Sequence, residues 1–156
     1  MKNWNLAMWA FCLSILLILS SCDREDPAII WSGPEITFTK GVNADPSLEE
    51  NQDRITSKVW ITRANSGSIY NAVSETQAGD TPAGTEWAYG TTAELDALTF
   101  NTFQATHGNS SPSVVGKDMV LHLIEEDIYI DIKFSQWGRK SQAGGGSFAY
   151  TRSTPN

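Results

Sequence analysis

The side chains best suited to chemistry fall within one stretch, from Asp118 to Trp137. Asp118, His122, Tyr129, Asp131, Lys133 and Trp137 bring carboxylates, an imidazole, an ammonium and aromatic rings together. On a β-face such a set can hold a sugar, with rings against C–H faces and charges on the hydroxyls. A sharper version is catalytic: Asp127, Tyr129 and Asp131 stand at i, i+2 and i+4 and point one way on a regular strand. Retaining glycoside hydrolysis needs carboxyls about 5–5.5 Å apart, whereas Cα atoms four strand positions apart are roughly 13 Å apart. Aspartates are too short to close that gap. The expectation is therefore non-enzymatic: a solvated structural sheet face carrying cross-strand pairs, or ligand binding through His122, Tyr129, Asp131, Lys133 and Trp137. A carbohydrate-active hydrolase or lyase using the 127–133 strand face is the alternative.

A second cluster, NADPSLEENQD at 43–53, offers hard oxygens. Calcium takes six to eight oxygens at about 2.3–2.6 Å, and Asp45, Glu50 and Asp53 are its candidate ligands, although the spacing matches no EF-hand. No other cofactor is expected, because His107 and His122 alone do not make a transition-metal site. Trp60 and Trp87 read as core anchors before binding platforms. The run Gly144–Gly146 lacks the strand–helix context and following lysine of a phosphate-cradling loop. No nucleophile elbow stands out.

The elements that position these residues read as strands. In Lys117–Trp137 the second half alternates strictly, with Ile128, Ile130, Ile132 and Phe134 on one face. A four-residue connection, Ile124 to Asp127, pairs Leu123 with Ile128, Leu121 with Ile130 and Met119 with Ile132, keeping every large aliphatic side chain on one side. A slip of one residue opposes Leu121 to Asp131 and splits the apolar set. The favoured register also sets Asp118 opposite Lys133 and His122 opposite Tyr129. Short β-rich runs at 35–40, 58–64, 85–90 and 147–152 alternate with Gly, Pro, Asn and Ser loops, and no long helical stripe lies between them. The expected fold is all-β, an antiparallel sandwich of jelly-roll type.

The N-terminus carries an address. Leu6–Leu19 is an apolar run of 14 residues, shorter than the roughly 20 that span a bilayer, and it reads as a secretion-signal helix. The following Leu19-Ser20-Ser21-Cys22 resembles the lipobox of bacterial lipoproteins, which implies cleavage before Cys22 and acylation of Cys22. Cys12 would leave with the signal and Cys22 be consumed by lipid, so no thiol chemistry remains. The expected organisation is a signal at 1–21, an acidic tether at 22–33 and a β-domain at 34–156. Asp23, Glu25 and Asp26 resemble the surface-export signals of Bacteroidota lipoproteins, while an aspartate directly after the cysteine also resembles inner-membrane retention signals. The first reading puts the chain on the outer membrane facing outward, with the bilayer as partner through Cys22. The periplasmic side is the other reading.

A formal net charge of −7 disfavours nucleic acid as a partner. The segments ITFTKGVNADPSLEENQDRITSKVWITRANSGSIYNA, PAGTEWAYGTT, VVGKDMVLHLIEEDIYIDIKF and GGGSFAYTRST resemble a recurring uncharacterised β-domain of Bacteroidota cell-surface and secreted proteins, over nearly all of 36–154. That resemblance implies a surface-protein module and nothing finer; glycan or another surface protein is the partner expected from the residues of the β-face. The resemblance carries no catalytic residues over. The Asp127–Asp131 strand is also similar to the alternating-acid strand of laminarinase-like jelly-roll hydrolases, but here the middle acid is Tyr129 and the outer two are aspartates.

Overall fold

The computed structural model describes residues 27–139 and 143–156. The signal segment, Cys22 and the first residues of the tether lie outside them. Among the described residues nine strands follow in order: β1 (Ile29–Trp31), β2 (Gly33–Lys40), β3 (Asp53–Arg54), β4 (Trp60–Arg63), β5 (Ile69–Asn71), β6 (Thr85–Tyr89), β7 (Asp118–Leu123), β8 (Ile128–Trp137) and β9 (Phe148–Thr154). Within the same described residues, one short helix, α1 (Phe103–Thr106), and three 3-10 turns punctuate them. The fold is all-β. The larger sheet runs β2-β9-β8-β7-β6, with β1 added against β8, and the smaller runs β3-β4-β5.

The β7–β8 hairpin has the register that apolar patterning dictates: Leu123 opposite Ile128, Leu121 opposite Ile130, Met119 opposite Ile132, His122 opposite Tyr129 and Asp118 opposite Lys133. Asp127 closes the four-residue loop with φ of 51°, a left-handed conformation that aspartate tolerates better than most side chains. Leu121, Leu123 and Ile130 are fully buried, and they share one cluster with Val59, Ile61 and Ile69 of the smaller-sheet region. Both sheets therefore contribute to a single core, into which Trp87 also projects with no exposure.

Three departures from the sequence expectation matter. Ile29–Trp31, inside the expected tether at 22–33, pairs with Ile128–Ile130 as a strand. That pairing is parallel, so the larger sheet is not purely antiparallel. Finally, a bulge between Phe134 and Gln136 shifts the face of β8 by one residue. Trp137 thereby joins Phe134 on the inner face, opposite Phe148, instead of the outer face.

Candidate functional site

The outer face of the hairpin is assembled but closed. His122 and Tyr129 stack with centroids 4.2 Å apart and planes within 2°. Phe100 seals them edge-on at 5.7 and 5.6 Å. His122 stands between two acids, with Nε2 3.1 Å from Asp127 and Nδ1 3.6 Å from Glu86. Burial, then the hydrogen bond and charge of Asp127, raise the Tyr129 phenol above its ordinary value. Asp131 is taken by the covering segment, since Thr92 donates from its backbone N–H and its hydroxyl to the two carboxylate oxygens, each at 2.7 Å. Val120, on the same face, is fully buried. Lys133 pairs with Asp118 at 2.9 Å on the exposed rim. The aromatic faces that sugar stacking would need are thus covered by the protein's own chain, and Trp137 is absent from this face altogether.

The calcium candidates do not converge. Both oxygens of Asp53 are occupied by Arg152, and Tyr150 donates to one of them. Asp45 folds onto Ser47, accepting from its backbone N–H at 2.9 Å and its hydroxyl at 2.8 Å, bonds that hold the carboxyl below its ordinary value. Glu50 lies exposed in a 3-10 turn. Among the described residues, no three His, Cys, Asp or Glu side chains are placed to share a metal ion.

A different site emerges where Trp137 enters the core. A cleft of about 870 Å³ opens between the loop after β4, the segment around α1 and the end of β8. That volume lies in the range of small-molecule sites. Thr102 caps α1 by accepting from Ala105 N–H, and this brings Gln104 and His107 to one wall. Phe103 anchors the helix against Trp137, with centroids 6.0 Å apart, and against His107 at 4.7 Å. The opposite wall is Ser66, Gly67 and Ser68, and Arg139 closes one end. Arg63 is 4% exposed and lies over the Trp137 ring at 4.3 Å. Its Nε donates to the Gly67 carbonyl at 2.8 Å, and Nη1 to the carbonyls of Gly138 and Ser147 at 2.8 and 3.0 Å. Burial pushes the guanidinium down to about 10, which leaves it cationic at neutral pH.

Near neutral pH the cleft's charge comes from its arginines. Burial holds His107 below its ordinary value of 6.5, so the ring is neutral. Its Nε2 lies 3.3 Å from the Ser111 hydroxyl, but among the described residues its buried Nδ1 has no partner. A serine–histidine pair without an acid on the second nitrogen lacks the group that orients and charges the base in nucleophilic hydrolases. The surroundings can instead hold polar atoms, through hydroxyls, amides and guanidinium groups. Arg63 escaped the sequence reading, although its spacing carries the signal: Val59, Ile61 and Arg63 share a strand face, so an arginine continues an inward apolar series. The cleft is lined by hydroxyls, amides, two guanidinium groups and the Trp137 ring, with no carboxylate among its described lining residues. Compared with family models, curated proteins and solved structures, the chain matches none.

Proposed function

We propose that this chain is a bacterial surface lipoprotein, held in the outer membrane by acylated Cys22, whose β-domain is a two-sheet sandwich acting as a non-enzymatic glycan-binding module. The N-terminal apolar run and Leu19-Ser20-Ser21-Cys22 support the anchor, and the acidic residues Asp23, Glu25 and Asp26 after the cysteine support the surface setting. Among the described residues no helix is long and apolar enough to cross a membrane.

The observation that carries the binding reading is the cleft beside Trp137. Ser66, Ser68, Gln104, Asn109, Ser110 and Ser111 line it with hydroxyls and amides, groups that exchange hydrogen bonds with sugar hydroxyls in both directions. The hairpin face, the alternative location, spends its acids and rings on the protein itself. Two measurements test the reading. Labelled palmitate should enter the wild type and not Cys22→Ala, which should move to the soluble fraction; labelling of Cys22→Ala overturns the anchor. Detergent-solubilised full chain should bind within a broad panel of neutral and charged oligosaccharides, and Gln104→Ala with Asn109→Ala should weaken that binding. Silence across the panel overturns the glycan reading.

A further inference from the structure

The two sheets bury two inward-facing arginines, and the protein treats them differently. Arg152, on β9, receives a carboxylate: Asp53 of β3 meets Nε at 2.6 Å and Nη2 at 2.8 Å, with both side chains almost fully buried. Arg63, on β4, is just as deeply buried but receives only backbone carbonyls and the face of Trp137. Among the described residues no carboxylate pairs with it, and its Nη2 makes no hydrogen bond. A buried cation without a counter-charge is costly, and carbonyl dipoles compensate only in part.

Three further observations mark the cleft as the place where the missing charge enters. Its lining contains Arg63 and Arg139 and no aspartate or glutamate, in a chain of net charge −7. Two polar atoms of lining residues, His107 Nδ1 and Ser68 Oγ, lack partners among the described residues, and their side chains are more than nine-tenths buried, at 6% and 9% exposure. Buried polar atoms in folded proteins are rarely left unpaired unless water, an ion or a ligand completes them. Moreover, Arg63 is pre-oriented. Three carbonyl acceptors and an aromatic face fix its plane, so a ligand oxygen meeting its remaining N–H groups need not order the side chain first.

We propose that the Arg63–Arg139 cleft binds an anionic group of a sugar, a carboxylate or a sulfate ester, so that the module selects acidic over neutral glycans. The inference rests on the glycan reading above and narrows it to a substrate class. Arg63 has Nε and Nη1 already engaged by carbonyls, so it donates a charge-assisted hydrogen bond to the anion from Nη2. Arg139, exposed at the mouth, adds attraction that salt can screen. Serine and amide side chains then hold the uncharged hydroxyls of the same sugar.

The test uses the full chain in detergent micelles and three forms of one backbone: a chondroitin hexasaccharide bearing uronates only, its sulfated counterpart, and its carboxyl-reduced, unsulfated and neutral counterpart. Binding should be about tenfold or more tighter for a charged form than for the neutral one, and the gap should shrink as salt rises. The uronate and sulfate arms show which anion is preferred. Arg139→Ala, at an exposed position, should narrow the gap severalfold with an unchanged melting temperature. Arg63→Gln should abolish it, and where that variant does not fold, Arg139→Ala carries the test. Equal binding of the charged and neutral forms overturns the selectivity and leaves the glycan reading standing. No binding here or in the broader panel overturns both.

Discussion

Asp53 and Arg152 form a two-point ion pair, 2.6 Å to Nε and 2.8 Å to Nη2, that ties the smaller sheet to the last strand of the larger across 99 residues of sequence. Tyr150 donates its hydroxyl to the same carboxylate at 2.7 Å. Burial, with the charge of Asp53 beside it, keeps that phenol protonated well above its ordinary value. Burial alone would lower Arg152, but the hydrogen bonds and charge of Asp53 prevail and raise it. Removing one partner strands the other in a dry core. Asp53→Ala should therefore cost about 3–5 kcal/mol. Asp53→Leu combined with Arg152→Met should recover much of that loss. Urea midpoints of the three proteins measure it, and a single-variant loss under about 1 kcal/mol would contradict a buried, dry pair.

The same pair bears on metal binding. A calcium ion at 45–53 would have to take Asp53 from Arg152, exchanging a buried charge pair for an ion at the surface. Millimolar calcium should leave the melting temperature at its EDTA value, since a ligand that binds only the folded state raises it. A reproducible upward shift would show that the loop rearranges.

Asp131 acts here as a clasp. Its carboxylate accepts two hydrogen bonds from Thr92 and so pins the segment whose Phe100 packs edge-on against the His122–Tyr129 stack. Asp131→Ala should destabilise by about 1–3 kcal/mol, the range for removing a charged acceptor from partly buried donors. Amide exchange at 92–100 should accelerate, while strands β7 and β8 stay protected. Unchanged exchange in that segment would mean the clasp contributes nothing.

His107 gives stability a dependence on acid. Burial depresses its folded value below 6.5, so the unfolded chain takes up the proton first as pH falls. The neutral-ring contribution is complete above about pH 6.5 and is lost as pH drops through the folded value. His107→Gln should flatten this part of the profile, and the comparison is between slopes, not absolute stabilities. Parallel profiles for the two proteins would remove His107 as the cause.

Gly33 marks where the start of β2 crosses the C-terminal residues. A Cβ built there would clash with the backbone carbonyl oxygens of Thr154 and Pro155, so one of the two segments would have to shift. Gly33→Ala should lower stability by about 1–3 kcal/mol through forced separation of the two segments. Altered fluorescence from Trp31, which packs at the margin of the core, should accompany it. A neutral substitution would mean that the crossing is loose.

Alternation along one strand pair was enough to set the hairpin. Leu121 meets Ile130 because a two-residue period and one dry face leave a single register that keeps every aliphatic chain inside, and that condition is contained in twenty consecutive residues. The all-β character followed from the same local pattern. Trp137 needed more: its face depends on a bulge stabilised by pairing with β9, and no local period announces where a strand takes an extra residue. Asp53 looked like a free acid in a polar loop until Arg152, distant in sequence, was brought to it. Arg63 carried its inward parity in the sequence, but its lack of a counter-charge is a property of the whole assembly. Local spacing decides which way a side chain points, whereas only the packed chain decides what it meets, because pairing free energies between distant segments act after both have been brought together.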